Sequence, residues 1–298
     1  MRERKFAVIG GDMRQVKLAD LLVSDGHQVS VFASDQAEHK RAEQAPSLQN
    51  CLHNVDCAIL PLPLLGECNQ INTPLSDMVL PVEELLSALT PEQVICGGRI
   101  PAEVSHAAGV HGLMLLDYFA REELVVANAA MTAEGAIGAA MAATSTVLLD
   151  SHVLVLGFGR IGKLLALRLR ALGVHVTVAA RTFADLAWIR AYGYRAIHMD
   201  ALDENLSGYA ILFNTVPHLL LDSRRLALLD ASTLCLDAST LCIDLASKPG
   251  GIDFSAAASL GIRTLWALGL PGKVAPVTSA SVIRDTIYNI LSEQEILL

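Results

Sequence analysis

What this 298-residue chain lacks narrows its class before any motif is read. It has no run of basic residues and no aromatic platform on which bases could stack. Aromatics make up only 5% of residues, and the net charge is -9. A nucleic-acid partner needs a basic footprint and is not expected, nor is attachment to an anionic membrane surface. The six cysteines, at 51, 57, 68, 96, 235 and 242, include no C-x-x-C pair. Thiols dispersed in this way read as small buried apolar residues in a reducing compartment. Cys51, His53 and Cys57 are close enough in sequence to share a metal. No second ligand pair follows at a finger-like spacing, so no metal site is expected. The longest uncharged run near the middle, residues 135–149, is shorter than the roughly 18 residues that a membrane span requires. The start, MRERKFAVIGGD, passes from charges straight to a short apolar run and glycines, without the apolar stretch of a signal peptide.

What is present is apolar and aliphatic. Hydrophobic residues are 52% of the chain and charged residues 18%. Ala, Leu, Val and Ile dominate, as in proteins with buried parallel strands. The length suffices for two domains. KFAVIGG (5–11), HQVSVFAS (27–34) and DCAILPLPL (56–64) read as strands, with a helix over 12–26. EELLSALTPEQVICGG (83–98) reads as helix, turn and strand. GLMLLDYFAREELVVANA (112–129) reads as a short helix followed by a strand. MTAEGAIGAAMAATSTVLLD (131–150) reads as a long Ala-rich helix. After it a second series begins with SHVLVLGFGRIGKLLALRLRALGVHVTVAART (151–182). Further strands are expected at YRAIHM, YAILFNTV, TLCIDLAS and IRTLWAL, and a last helix over 278–298.

Strands alternating with helices imply βαβ units and parallel sheets. The expected fold class is α/β, with two Rossmann-like doubly wound parallel-sheet domains and a cleft between them. The first domain would span 1–130, completed by the helix at 278–298. The second would span 131–277 and include the crossing helix 131–150.

The chemistry-bearing motif is Gly157-Phe158-Gly159-Arg160-Ile161-Gly162. G-x-G-x-x-G alone is weak, but here an apolar strand precedes it and an amphipathic helix follows, the context of a dinucleotide site. Gly157 makes the tight turn, Gly159 lets a pyrophosphate approach, and Gly162 lets helix and strand pack closely. The next strand ends at Arg181-Thr182 with no carboxylate until Asp185. A guanidinium and a hydroxyl suit a 2′-phosphate better than a bare ribose hydroxyl, so the expected cofactor is NADP. Asn214-Thr215-Val216-Pro217, then Asp244 to Ser247 with Lys248 in DLASKPGG, and last GLPGKVAP (269–276) end or follow later strands. In a parallel sheet these ends share one edge.

AVIGGDMRQ, AEGAI, GFGRIG with ART, NTVP, DLASKPGG and GLPGKVAP occur in this order over nearly the whole chain. In this the chain resembles the dipicolinate synthase A-subunit family of sporulation. DLASKPGG with GLPGKVAP carries most of the likeness; GFGRIG is shared widely. The resemblance implies a fold related to the 2-hydroxyacid and alanine dehydrogenases. It also implies NADP-dependent oxidation of dihydrodipicolinate to dipicolinate beside a flavoprotein-like B subunit, in the mother-cell cytoplasm. Homo-oligomer contacts are also expected. A substrate with two carboxylates needs cationic or N–H partners. Arg14 is the first candidate, with Asp12 to cap its helix or orient it, and Lys248 and Lys273 come next. Glu134 and His218 are the candidate proton acceptors.

Two alternatives remain at this stage. One is a 2-ketoacid or 2-hydroxyacid oxidoreductase of the same fold. It needs a late histidine to protonate a carbonyl oxygen, and the only histidines after the glycine motif are His175, His198 and His218. The other is a non-catalytic NADP-binding regulatory subunit, since every strong motif concerns the cofactor.

LDASTLC is written twice without a break over 229–242. Seven residues are too few to be a fold-building repeat. The resembled family's layout implies one copy fewer here, so the pair reads as a tandem duplication. The second copy would enter the strand TLCIDLAS, and the first would go to the preceding loop or a strand edge.

Overall fold

The computed structural model describes residues 2–66, 69–230 and 240–297. The described residues form two parallel six-stranded sheets, one in each of two units. Unit 1 comprises residues 1–128 and 272–298, and unit 2 residues 129–271.

In unit 1 the chain runs β1 (Lys5–Ile9), α1 (Met13–Ser24), β2 (Gln28–Phe32), β3 (Glu43–Gln44), α2 (Leu48–Leu52), β4 (Cys57–Ile59), α3 (Val82–Ala88), β5 (Val94–Gly97), α4 (Ala102–Val110) and β6 (Leu115–Asp117). Helix α5 (Glu122–Ala143) carries the chain from unit 1 into unit 2. There follow β7 (His152–Leu156), α6 (Arg160–Ala171), β8 (His175–Ala180), α7 (Phe183–Ala191), β9 (Arg195–His198), β10 (Ile211–Asn214), α8 (Ser223–Asp230), β11 (Leu241–Asp244), α9 (Phe254–Ser259) and β12 (Arg263–Trp266). The short α10 (Leu270–Val274) holds the return to unit 1, where α11 (Pro276–Leu297) closes the chain.

The strand orders are β3-β2-β1-β4-β5-β6 and β9-β8-β7-β10-β11-β12. Both are the doubly wound order, in which direction reverses beside the first strand and opens a crevice at the carboxyl ends. Central strands such as AVI in β1 and VLVL in β7 are buried throughout, because helices cover both sheet faces. In unit 2 one face packs Ala133, Ala136 and Ala140 of α5 with Leu165 and Leu169 of α6. In unit 1 Leu18 and Leu22 of α1 pack with Ile283, Ile287 and Ile290 of α11. Arg284 and the Tyr288 hydroxyl of α11 both reach Asp25 at the end of α1, at 3.2 and 2.8 Å.

The structure corrects two sequence expectations. Residues 112–129 hold strand first and helix second. Leu115–Asp117 takes the open edge of β5, and the backbone N–H groups of Arg99 and Ile100 then bond the Asp117 carboxylate. The β-branched pair in EELVVANA suggests a strand, but the segment opens α5, where Leu124 and Ala129 are buried. Tertiary burial overrides the weak propensity here. The crossing helix therefore spans 122–143 rather than 131–150. It stops where Thr144 bonds back to the Ala140 carbonyl and the Arg263 guanidinium takes the carbonyl of Ala143. By length and composition α5 could cross a membrane. Its alanines instead build the unit 2 core.

Of the repeat, the end of the second copy enters β11 as Leu241-Cys242, with the Thr240 hydroxyl bonded to the Tyr209 carbonyl. The first copy begins in α8. Its remaining residues, for which a loop or a strand edge was expected, lie outside the described residues. Cys51 and Cys57 belong to different core clusters. Burial pushes the Cys51 and Cys242 thiols up to about 12, so both stay protonated and unreactive.

Candidate functional site

The turn between β7 and α6 occupies the reversal point of unit 2. Gly157 has φ +98°, and a Cβ there would lie 2.4 Å from the Thr215 hydroxyl, so only glycine serves. A Cβ at Gly162 would lie 2.2 Å from the Gly157 carbonyl oxygen, which is how the helix comes so close to the turn. Gly159 differs, since an added Cβ there meets nothing within 4 Å. Gly159 is also the N-cap of α6 and supplies no side-chain cap. An N-cap without a side chain thus leaves room at the start of α6, and a helix N-terminus with such room suits a phosphate. These residues fit a dinucleotide pyrophosphate. Phe158 is buried with the Lys163 ammonium 5.3 Å above its ring, and Ile161 packs against the core. Arg160 is exposed.

Arg181 is exposed at the end of β8. Thr182 caps α7: its hydroxyl accepts from the Asp185 N–H at 3.1 Å and donates to the Asp185 carboxylate at 2.7 Å. Phe183 stacks on His198 with centroids 5.1 Å apart.

Asn214 and Asp244 sit side by side at the carboxyl ends of β10 and β11, both buried. Asn214 Nδ2 donates to Asp244 Oδ1 at 2.8 Å and to the Val216 carbonyl at 2.9 Å. The Asp244 carboxylate also accepts the N–H groups of Ala246 and Gly251, at 3.0 and 2.7 Å. These two side chains thus shape the loops at 215–217 and 245–251 from within. The crowding is tight enough that a Cβ at Gly251 would lie 2.2 Å from Asn214 Nδ2. Thr215 ties its loop to the turn, its hydroxyl donating to the Leu156 carbonyl at 2.8 Å. Val216 and Ser247 are half-buried, whereas Pro217, His218 and Lys248 are exposed. Glu134 is exposed on α5 and paired with Arg168 of α6 at 3.2 Å.

Arg14 stands in the first turn of α1 in unit 1. Asp12 does both things expected of it. It caps α1 by accepting the Arg14 N–H at 2.9 Å, and it grips Arg14 Nε and Nη2 at 2.9 Å each. Nη2 also donates to the Leu62 carbonyl. The Nη1 hydrogens have no partner among the described residues, and the side chain is 12% exposed. A Cβ at Gly272 would sit 3.1 Å from both Arg14 Nε and Asp12 Oδ2, so the backbone at Gly272 passes directly over the pair.

Next to it, Gln15 is buried. Its Nε2 donates to the Tyr118 hydroxyl at 3.3 Å, which donates to the Leu60 carbonyl at 3.0 Å. Burial holds the Tyr118 phenol well above its usual pKa, so it remains a neutral donor. Sequence reasoning gave no individual role to Leu62, Gln15, Tyr118 or Gly251, although Gln15 and Gly251 lie in the motifs AVIGGDMRQ and DLASKPGG. Beyond that, their only sequence signal is position at strand ends and first helical turns.

Comparisons with known proteins agree on the whole chain. A family model described as the N-terminal domain of the dipicolinate synthase A subunit matches residues 5–119. One described as the D-isomer specific 2-hydroxyacid dehydrogenase NAD binding domain matches residues 115–236. The dipicolinate synthase A subunit of Bacillus subtilis (strain 168) is 32% identical over 97% of this chain and 96% of its own length. The crystal structure of the Bacillus subtilis dipicolinate synthase A chain superposes with TM-score 0.85 at 31% identity, covering 100% of this chain and 99% of that one. The dipicolinate synthase A subunit from Bacillus halodurans gives 0.83 at 29% identity, covering 97% of each. The two-domain Rossmann reading holds, and unit 2 carries a nicotinamide-dinucleotide-binding domain.

Proposed function

The chain belongs to the dipicolinate synthase A-subunit family, and from that premise we propose that it oxidises dihydrodipicolinate to dipicolinate with NADP, acting with a flavoprotein-like B subunit. The observation that carries this reading is the full-length likeness, joined in unit 2 to an open glycine turn that fits a dinucleotide.

In this proposal Gly157 to Gly162 hold the pyrophosphate through the α6 N–H groups. Arg181 and Thr182 take the 2′-phosphate, with Thr182 exchanging its bond to Asp185 for one to phosphate. Thr215 and Val216 line the nicotinamide side, on loops that Asn214 and Asp244 shape. When bound, the cofactor supplies the hydride acceptor. The substrate loses one hydride and one proton, and its ring becomes aromatic. Because aromatisation supplies driving force, holding the ring in place matters more than a strong base. Arg14 offers its Nη1 hydrogens to a substrate carboxylate, and Asp12 and Leu62 keep the guanidinium pointed. Lys248 is a second cation for the other carboxylate. His218 remains the better placed proton acceptor, since Glu134 is engaged by Arg168.

The test is turnover of dihydrodipicolinate with NADP, with and without B, following NADPH and dipicolinate absorbance together. Turnover of pyruvate or glyoxylate instead overturns the reading in favour of a 2-ketoacid reductase. Cofactor binding with neither reaction leaves a regulatory subunit. For the cofactor, wild type should bind NADPH more tightly than NADH, and Arg181→Asp should reverse the order. A wild type that prefers NADH contradicts the 2′-phosphate assignment.

A further inference from the structure

No stretch of this chain is a basic run, yet charge is unevenly placed. Arg160 to Arg195 contains seven of the 22 basic residues and, in Asp185, one of the 31 acidic ones. Four of the seven, Arg160, Lys163, Arg168 and Arg170, lie on α6, where Lys163 and Arg170 are exposed, in a protein whose net charge is -9. The same surface exposes large apolar side chains. Leu167 is 58% exposed, Trp188 58% and Tyr192 50%.

These residues form one patch. Trp188 and Tyr192, one turn apart on α7 and just beyond it, stack with centroids 5.7 Å apart and planes 27° apart. Tyr192 also lies 6.2 Å from the Phe158 ring, over which Lys163 sits, and 6.4 Å from the Tyr194 ring, over which Arg170 sits. Arg170 further donates to the Tyr192 carbonyl, joining the two helices. Leu167 is four residues after Lys163 and three before Arg170, so it lies between the two cations on the same face of α6.

The helix dipole accounts for arginines at the ends of α6 and α7. It does not account for a half-exposed Trp and Tyr beside an exposed Leu. An apolar centre of Trp, Tyr and Leu with cations around it has the composition of a protein-binding hot spot.

We propose that this α6–α7 face of unit 2 docks a protein partner that presents carboxylates around an apolar socket. Charge complementarity selects that occupant. A two-fold pairing with a second copy would set the same basic face against itself. A nucleic acid is disfavoured because the exposed rings stack on one another. The inference rests on the proposed function for its probe, the B subunit.

The experiment is calorimetric titration of the full-length chain with purified B. Trp188→Ser and Arg170→Glu should each weaken the complex at least tenfold. Val110→Ser, at an exposed site on unit 1, should leave it unchanged. Raising the salt should weaken wild type more than Arg170→Glu. NADPH binding retained by all three variants shows that each is folded. Equal binding of B by wild type and both variants of the face overturns this docking face and leaves the oxidation reading intact. No complex with wild type overturns both the face and the partner, while the turnover assay still decides the chemistry. A self-association that Trp188→Ser abolishes, or oligonucleotide binding that Arg170→Glu abolishes, also overturns it.

Discussion

In both units the first strand ends, three residues pass, and a twelve-residue helix begins: Gly10-Gly11-Asp12 before α1, Gly157-Phe158-Gly159 before α6. The sheets around them have the same strand order when each is counted from its own first strand. What fills the turns differs. In unit 1 the N-cap is Asp12, whose carboxylate occupies the helix N-terminus and recruits Arg14. A Cβ on Gly10 would meet the Asn72 carbonyl at 2.8 Å, and the Gly11 N–H already donates to that oxygen at 2.8 Å. The third helical residue is Gln15, whose side chain packs onto Gly11. In unit 2 the same three places hold an N-cap glycine with open space, a turn approached by Thr215 and Val216, and Gly162. One topology thus gives two ends. In one, the protein supplies its own anion at the helix N-terminus. In the other, that place is left for a ligand's.

The comparison can be broken at Gly162. Gly162→Ala drives a Cβ against the Gly157 carbonyl, an overpacking that costs about 1–3 kcal/mol. It should lower the melting temperature and weaken NADPH binding on the order of a hundredfold, read by fluorescence titration and thermal melts. Undiminished affinity would mean that close helix–turn packing does not make the site.

Gly159→Asp would convert the unit 2 turn to the unit 1 kind. NADPH affinity should fall by roughly ten- to a hundredfold, because a carboxylate takes the N-terminus. Stability should hold, since Asp is at least as good an N-cap as Gly. Loss of both together would point to a folding defect instead.

Asp12→Ala should act in the opposite compartment. Losing the cap costs about 1 kcal/mol of stability. With Arg14 no longer gripped, KM for dihydrodipicolinate should rise about tenfold while Kd for NADPH stays put. A shift in the NADPH constant would contradict the separate roles of the two turns.

The smallest effect is expected at His27, which belongs to unit 1 and lies between Phe6 and Tyr288. Desolvation lowers its pKa below 6.5, against a raising contribution from Asp25. The unfolded chain therefore takes the proton first. Stability is complete above pH 6.5 and declines as pH falls from there toward the lower folded value. Melting curves at neutral and mildly acid pH should show this loss in wild type and a smaller one in His27→Phe. Equal acid sensitivity would assign the effect to other groups.

Much of the architecture was legible in the sequence. Short apolar runs ended by glycine or proline located the parallel strands, and G-x-G-x-x-G in its strand–helix setting located the tight glycine turn between β7 and α6. Segments with mixed signals were not legible. LVVA has strand-like residues yet lies in α5, because the edge of the first sheet was taken by Leu115–Asp117. Asn214 and Asp244 were legible as strand-end polar residues, but not as partners of each other. Their pairing depends on the register that sets Asn214 opposite Asp244 across β10 and β11.

The sequence by itself determined where backbone freedom lies and which segments are buried, because glycine's missing Cβ and the spacing of apolar side chains act locally. Only the tertiary structure decided what each turn faces. Arg14 finds its carbonyl 48 residues away at Leu62, and Asn214 its carboxylate 30 residues away at Asp244. Lys163 and Arg170 of α6 meet the aromatic rings beside α7 only after the helices pack. Such partners are set by sheet register and helix packing, which bring together side chains with no relation along the chain.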